Sequence, residues 1–539
     1  MVISESPPPH PRVRQLRRSI LLWGGLCATY SLLAIIATRP LLANALHFTP
    51  RGSGSGDQCQ FIWFFWWTKA ALLQLHQSPF WTDVMYFPYG TELAHHSCLF
   101  TNILAIFVSS VSGIPINAPL LYNLFVLLSF VVGGLASFAL IRYVTGYSLA
   151  AFAGSLVFTF SPYFLFHLEH LNLLFLGWGV LAIYFSLRFL DTSRWSDLIW
   201  AGVFFTIQLY SSLTNAMQVG SFLVLYLLVS VRHIWAHPER WRLIWRGLLG
   251  AFATIPLALP LLISLKHARA AWPLTWRDSI PRSASLPDFI VPASRMQQPE
   301  PGEVFLGWLI IGLAVAALLY TAHKYRHRWA ALAGIFLILS LGPSLAIGDR
   351  IYLDGWLPYR WLYGIVPYFS LSRTPARFVI VAQLCLAVLI GIGFAAVIAY
   401  TQRRIGRLLR LVILSAGELL LAVAIYALYI RGPIELSRMD VPAVYEQIKA
   451  DSTIKVICEL PISEKLQICN WYLYWQTVHE RKAVNGYLAH HSQTATGLID
   501  TIKTWQEFGP TEKAQLIADG VDAVVLHDPA KESQLIRLK

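Results

Sequence analysis

A carboxylate set in a glycine-flanked run is the first feature of this sequence that invites proton chemistry. The segment RGSGSGDQCQ places Asp57 after a Gly/Ser stretch and before an aromatic-rich segment, Phe61–Leu75. A carboxylate held at the edge of an apolar phase acts as a general base when its environment tunes its pKa. The competing role is an ordinary loop aspartate that caps a helix beginning at Gln58. Both readings stand on the residues alone. The Gly/Ser run reads as a flexible approach to Asp57 more than as a phosphate-binding loop.

A second group of chemical residues lies in FHLEHLN, where His167, Glu169, His170 and Asn172 crowd one short turn. His167 and His170 stand three apart, a spacing that shares a helical face. Together with His95 and His96 they offer a metal-ligand set, but no H-x-x-x-H pattern is present, so no metal is expected. The preferred roles are contact with a phosphate or orientation of a carboxylate. Further along, YRWLYGIVPYFSLSRTPARF carries Arg360, Arg373 and Arg377, the last two flanking Pro375. Guanidinium forks match phosphate oxygens bidentately, whereas the competing role is anchoring among lipid headgroups. Lys266, Arg269, Arg277 and Arg282 add positive charge to another loop. A late run, YLYWQTVHERKAVNGYLAHHS, holds Gln476, His479, Tyr487, His490 and His491 among aromatics. It reads mainly as packing, with a wall over the site as the alternative.

These residues need an apolar solvent around them. Of the 539 residues 56% are hydrophobic and only 13% charged, about half the charged fraction usual in soluble domains. The net charge of +13 does not indicate nucleic acid, because the basic residues cluster in short segments between apolar runs. Placing Arg12, Arg14, Arg17 and Arg18 on the cytoplasmic side gives a path of about eleven spans. They run Ser19–Leu42, Pro119–Ile141, Ser148–Phe166, Leu171–Arg188, Leu198–Ser212, Met217–Val231, Gly247–Leu265, Val304–Ala322, Ala330–Ile347, Arg377–Tyr400 and Leu411–Ile430. The first run is long and lacks a small-residue cleavage site, so it reads as a retained helix. Every loop this path puts inside is short and basic, including Arg232–Arg246 and Arg403–Arg410. Phe100–Ser112 reads as a half-depth or interfacial helix, and Phe61–Leu75 as a helix lying along the membrane surface.

The organisation expected is a basic cytoplasmic tail at 1–18, a transmembrane region at 19–430 with a long extracytoplasmic first loop at 43–98, and an extracytoplasmic α/β domain at 431–539. In that domain Val441–Ala450 has helical character, while Lys455–Leu460 and Asp522–Leu526 read as short buried strands. Ser6–Pro11 reads as a disordered proline-rich tail. Cys27 and Cys385 fall within spans. Cys59 with Cys98, and Cys458 with Cys469, form two candidate disulfides on the oxidising side, with free thiols as the alternative.

The pattern resembles the GT-C superfamily of membrane glycosyltransferases. The features that carry the resemblance are a first span, a long outer loop with Asp57 in GDQCQ near its start, FPYG at Phe87–Gly90, SRTPARF, and YWQTVH followed by NGYL. No D-x-D or E-x-D pair occurs in the first loop, so the second acidic group is an open choice, with Glu169 preferred to Asp83 or Glu92. The resemblance implies transfer of a sugar from a polyprenyl-phosphate donor in the membrane to an extracytoplasmic glycan, lipid or protein acceptor. It implies inversion at the anomeric carbon, with Asp57 as base, Glu169 and His170 beside it, and Arg373, Arg377 and His167 on the donor phosphate. No cofactor and no nucleic-acid partner are expected, and the location is the inner (plasma) membrane. Two other classes remain open: a transporter or flippase of lipid-linked glycans, which would place ionisable groups at mid-span, and a non-enzymatic membrane assembly factor.

Overall fold

The computed structural model describes residues 11–539 apart from 52–55, 95–97, 272–273, 292–303, 349, 367–368, 370–371, 431, 463–467, 489–498, 504, 506–507, 528–532 and 539. The proline-rich start, the Gly/Ser run, His95, His96, His490 and His491 therefore lie outside the described residues.

The protein is mainly helical and multi-pass in character. Among the described residues seven helices are long and apolar enough to cross a membrane: Arg17–Ala37, Pro119–Thr145, Ser148–Phe166, Leu171–Thr192, Arg240–Lys266, Pro375–Gln402 and Arg407–Tyr429. The other four expected spans appear as shorter helices, Trp195–Ser211, Leu213–Val229, Trp308–Tyr320 and Arg326–Ser340. Phe100–Ser112 falls in a separate apolar helix, Leu99–Ser112.

Two kinds of helix result from two kinds of neighbour. Val379–Gln402 is apolar all round and buried over most of its length, so it is the core of the bundle. Glycines let its neighbours approach it. A Cβ on Gly154 would lie 2.6 Å from the Ala387 carbonyl, and one on Gly391 2.5 Å from Ile141. Small residues at such crossings allow the close packing on which helices in lipid depend. Arg240–Ala271 and Arg407–Tyr429 instead expose leucine, isoleucine and phenylalanine, among them Leu248, Phe252, Leu408 and Leu420. An apolar face turned outward to this extent is suited to hydrocarbon.

The short helices run between two opposite ends of the bundle. At one end His323 meets the Val144 carbonyl at 3.2 Å, Arg188 pairs with Asp197 at 3.1 Å, and Arg246 donates to the Ser193 carbonyl. At the other, Asn215 donates to the Leu173 carbonyl at 3.0 Å, Ala284 N–H to Ser340 at 2.9 Å, and Tyr429 to Leu306.

The expectation of a surface helix at Phe61–Leu75 is corrected. Asp57–Lys69 is buried along nearly all its length and passes into a π-turn at Ala70–Gln74. Its tryptophans serve a core. Trp63 stacks on Trp67 at 5.9 Å, and its indole N–H donates to Gln476 Oε1 at 2.7 Å. Aromatic and apolar composition looks the same at a membrane interface and in a protein core; here the C-terminal segment covers the helix.

That segment begins with a return to the first loop, because Leu436–Arg438 pairs antiparallel with Phe48–Pro50. It then forms a four-stranded sheet in the order Gln534–Arg537, Ala523–Leu526, Val456–Leu460, Lys482–Ala483. The last three strands are parallel and the first is antiparallel to its neighbour. Val456–Leu460 is buried at every position, as a strand covered on both faces must be. The expected helix forms at Ala443–Ala450.

The two disulfides are also corrected, because all six cysteines are free thiols. Cys98 donates its S–H to Asn102 Oδ1 at 3.3 Å, and that amide in turn donates to Thr68 at 2.8 Å. Cys458 is buried in its strand. Sharing a loop brings two cysteines into one neighbourhood but does not aim their Cβ atoms at each other.

Candidate active site

Asp57 is the first residue of the aromatic helix, and Gly56 before it takes the N-cap position with φ of 77°. That left-handed conformation favours glycine. The missing side chain has a second use, since a Cβ there would lie 3.3 Å from Asn470 Cβ and 3.4 Å from its amide nitrogen. The first turn of helix Ile468–His479 thereby closes on the start of the aromatic helix.

Both carboxylate oxygens of Asp57 are engaged. Oδ2 lies 2.9 Å from His170 Nε2, and Oδ1 accepts from Asn470 Nδ2 at 3.3 Å. His170 Nδ1 is 3.3 Å from His167 Nδ1. Burial, then the charges of His170 and Arg377, hold His167 well below the ordinary histidine range, so it is neutral near pH 7. His170 Nε2–H faces the carboxylate, and its other ring nitrogen shares a hydrogen bond with neutral His167, so His167, His170 and Asp57 form a continuous polar chain.

Local sequence explains the turn that bears these histidines. Pro162 opens the short helix Pro162–Phe166 after Ser161, and the chain breaks before Leu171–Leu174. Tyr122 donates to the Leu168 carbonyl at 2.8 Å, pinning the break to a neighbouring helix. Glu169 is fully buried here. Its charge and that of Asp57 both reach the Cys59 thiol, which burial first and then these two carboxylates push up.

The arginines arrive on other elements. Arg377 stands in the tight turn Pro375–Phe378 that leads into the core helix. Gln218 donates to its backbone carbonyl at 2.8 Å. Asn215, three residues earlier on the same helix, holds the histidine turn through Leu173. One helix face thus spaces the two halves of the site. Burial, then Arg282 and Arg377, push Arg373 down to about 10, so it stays charged at neutral pH. Crowded guanidiniums disfavour one another's charge, and an anion between them would relieve that. Arg282 reaches this group on the turn Trp276–Arg282, tied by Ser279 donating to the Ser372 carbonyl at 3.4 Å. Tyr487 feels both halves. Burial first and then Asp57 raise its phenol to about 12, with Asn470 and Arg373 acting the other way.

The structure therefore gathers Asp57, Glu169, His170, His167, Arg377 and Arg373 into one neighbourhood. Arg277 and Arg360 lie elsewhere, over the Trp276 ring at 4.9 and 5.1 Å. The other two acids weighed from sequence also have other partners. Asp83 pairs with Lys482 at 2.5 Å, and Glu92 accepts from Ser264 at 2.6 Å. The late aromatic run divides: Gln476 and His479 are packing residues, the latter stacked on Tyr445 at 5.4 Å, whereas Tyr487 faces the site. Asn470, Asn215 and Gln218 were missed. A pair of amides three apart in an otherwise apolar helix is the signal that would have found the last two. Among the described residues no group of three or more His, Cys, Asp or Glu is placed to hold a metal ion.

No protein-family model matches the chain, and no curated protein does. Solved structures do match. The archaeal oligosaccharyltransferase AglB from Archaeoglobus fulgidus, in complex with an inhibitory peptide and a dolichol-phosphate, aligns with a TM-score of 0.50 at 11% identity, over 94% of this chain and 69% of that one. The Archaeoglobus fulgidus oligosaccharyltransferase in complex with Zn and sulfate aligns with a TM-score of 0.50 at 10% identity, over 93% and 67%. ArnT from Cupriavidus metallidurans covers 96% of this chain and 98% of its own, at 12% identity and a TM-score of 0.42. At such identities the likeness to the oligosaccharyltransferase is one of fold alone.

Proposed function

We propose that the protein is an integral-membrane glycosyltransferase that moves a sugar from a polyprenyl-phosphate donor to an extracytoplasmic acceptor and inverts the anomeric carbon. The observation that carries this reading is a carboxylate engaged by His170, whose partner His167 feels the charge of Arg377 in a crowded arginine group. The fold and the dolichol-phosphate in the AglB structure support a lipid-linked donor.

The chemistry follows from the charges. The acceptor hydroxyl attacks the anomeric carbon and gives its proton to Asp57. The bond from that carbon to the phosphate oxygen breaks, and its electron pair leaves with the phosphate. Arg377 and Arg373 neutralise the charge developing there, so the leaving group needs no proton. Neutral His167 holds His170, and His170 holds Asp57 in the attacking geometry. Glu169, buried and acting together with Asp57 on the Cys59 thiol, is the second carboxylate of this reading.

The eleven-span path is part of this reading, as are the cytoplasmic tail 1–18, the transmembrane region 19–430, the outer layer 431–539 and a site open to the extracytoplasmic side of the inner membrane. Its support is that the four short helices run between the bundle's two ends. Between Leu306, held by Tyr429, and His323, held by Val144, the helix Trp308–Tyr320 supplies about 20 Å of rise. Reporters fused after Arg246 and after Arg328 are expected to report the same, cytoplasmic side. Opposite sides would leave only the seven long helices as spans.

Purified protein in vesicles is expected to consume a polyprenyl-phosphate-linked sugar and release polyprenyl phosphate when an acceptor is supplied. Movement of intact donor across the bilayer without cleavage would identify a flippase instead, and neither activity would point to an assembly factor.

A further inference from the structure

We propose that Asn470 and Tyr487, both from the C-terminal α/β layer, belong to the reaction site, Asn470 positioning the Asp57 carboxylate and the Tyr487 hydroxyl contacting the lipid-linked donor between that carboxylate and Arg373. The inference rests on the glycosyltransferase reading above.

Asn470 is buried and faces the carboxylate from the side opposite His170. A carboxylate bonded at one oxygen can still turn about its Cβ–Cγ bond; bonds at both oxygens fix its plane. Gly56 has no side chain that would keep Asn470 at a distance. Tyr487 shares a hydrogen bond with the Asn470 side chain, so the chain of polar contacts continues from His167 and His170 through Asp57 to Asn470 and Tyr487.

Tyr487 is held firmly from behind. Tyr86 N–H donates to the Asn485 carbonyl at 3.2 Å, Phe87 N–H to Ala483 at 3.0 Å, and Leu488 N–H to the Tyr86 hydroxyl at 3.1 Å. Gln60, on the aromatic helix, donates to the Tyr487 carbonyl at 3.1 Å. Gly486 passes so near the Tyr86 ring that a Cβ would fall 2.4 Å from it. Such a frame fixes the phenol between base and arginines before substrate arrives, the preorganisation that a binding contact needs.

The test is single-turnover transfer across pH, with steady-state donor dependence beside it, for Asn470→Asp, Asn470→Ala, Tyr487→Phe and Asp57→Asn. Asp57 faces His170, Glu169 and, behind them, His167 from the histidine turn. Cys59 lies on its own helix, Tyr122 on Pro119–Thr145, and Asn470 and Tyr487 on the C-terminal layer. Asn470→Asp sets a like charge beside Asp57, disfavours its ionised form and raises its pKa. The acid limb of the rate should move up by about one pH unit or more. Tyr487→Phe should raise donor KM about tenfold, the loss of one hydrogen bond to a charged group. An acid limb at the wild-type pH, or an unchanged donor KM in Tyr487→Phe, would overturn the corresponding assignment. If Asn470→Asp does not fold, Asn470→Ala reads the same bond, and a wild-type single-turnover rate overturns it. Near-normal turnover in Asp57→Asn would instead remove the base assignment beneath both.

Discussion

Asp57→Asn is expected to insert, fold and bind the lipid donor, yet to transfer sugar at least ~100-fold more slowly, because base catalysis contributes ~10²–10⁴-fold. The substitution keeps the size of the side chain and an oxygen for His170, which lies 2.9 Å away. It removes the group that takes the acceptor's proton. Asp57 also stands at the positive end of the aromatic helix, where a carboxylate is favoured, so a purely structural role predicts another outcome. Loss of a helix-end charge costs about 0.3–1 kcal/mol and leaves activity largely intact. Single-turnover transfer by a well-folded variant separates the two. Glu169→Gln should cost less than Asp57→Asn if Glu169 only orients its neighbours, and near-normal turnover in Asp57→Asn would end the assignment.

Arg377→Ala is the second large effect, with the apparent affinity for the lipid-linked donor falling about 10–100-fold, as removal of a charge-assisted contact does. The Arg377 charge acts on buried, neutral His167 and on Arg373, so it lies where the carboxylate half and the cationic half meet. Gln218 holds its backbone, not its guanidinium, so the fold of the turn should survive the change. Arg373→Ala should lower donor affinity less, because Arg282 and Arg377 leave positive charge in place. The measurement is donor dependence in a purified transfer assay at matched protein levels. Unchanged dependence in both variants would make them headgroup anchors.

Much of the scaffold was legible because a bilayer imposes a local rule. Every residue of a span must tolerate hydrocarbon, so runs such as Pro119–Ile141 and Arg377–Tyr400 announce helices that form at Pro119–Thr145 and Pro375–Gln402. Buried strands and turns obey similarly local rules, which placed strands at Val456–Leu460 and Ala523–Leu526. The turn with His167, Glu169 and His170 stood out for the same reason, since polar groups beside apolar spans are costly.

Other properties have no local cause. Whether Trp63 and Trp67 face headgroups or a core depends on what covers them, and the cover is a helix more than four hundred residues away. Cys59 and Cys98 share a loop, yet backbone direction decides whether their sulfurs can meet, and here both remain thiols. Asn470 resembles any other amide in an aromatic run until the strand pair Phe48–Pro50 with Leu436–Arg438 brings the C-terminal layer back over the first loop. Hydropathy and period were therefore enough to mark the segments that form the long apolar helices. The partners of Asp57 were decided only by tertiary packing, because a hydrogen bond spanning 413 positions forms only when the intervening helices have closed around it.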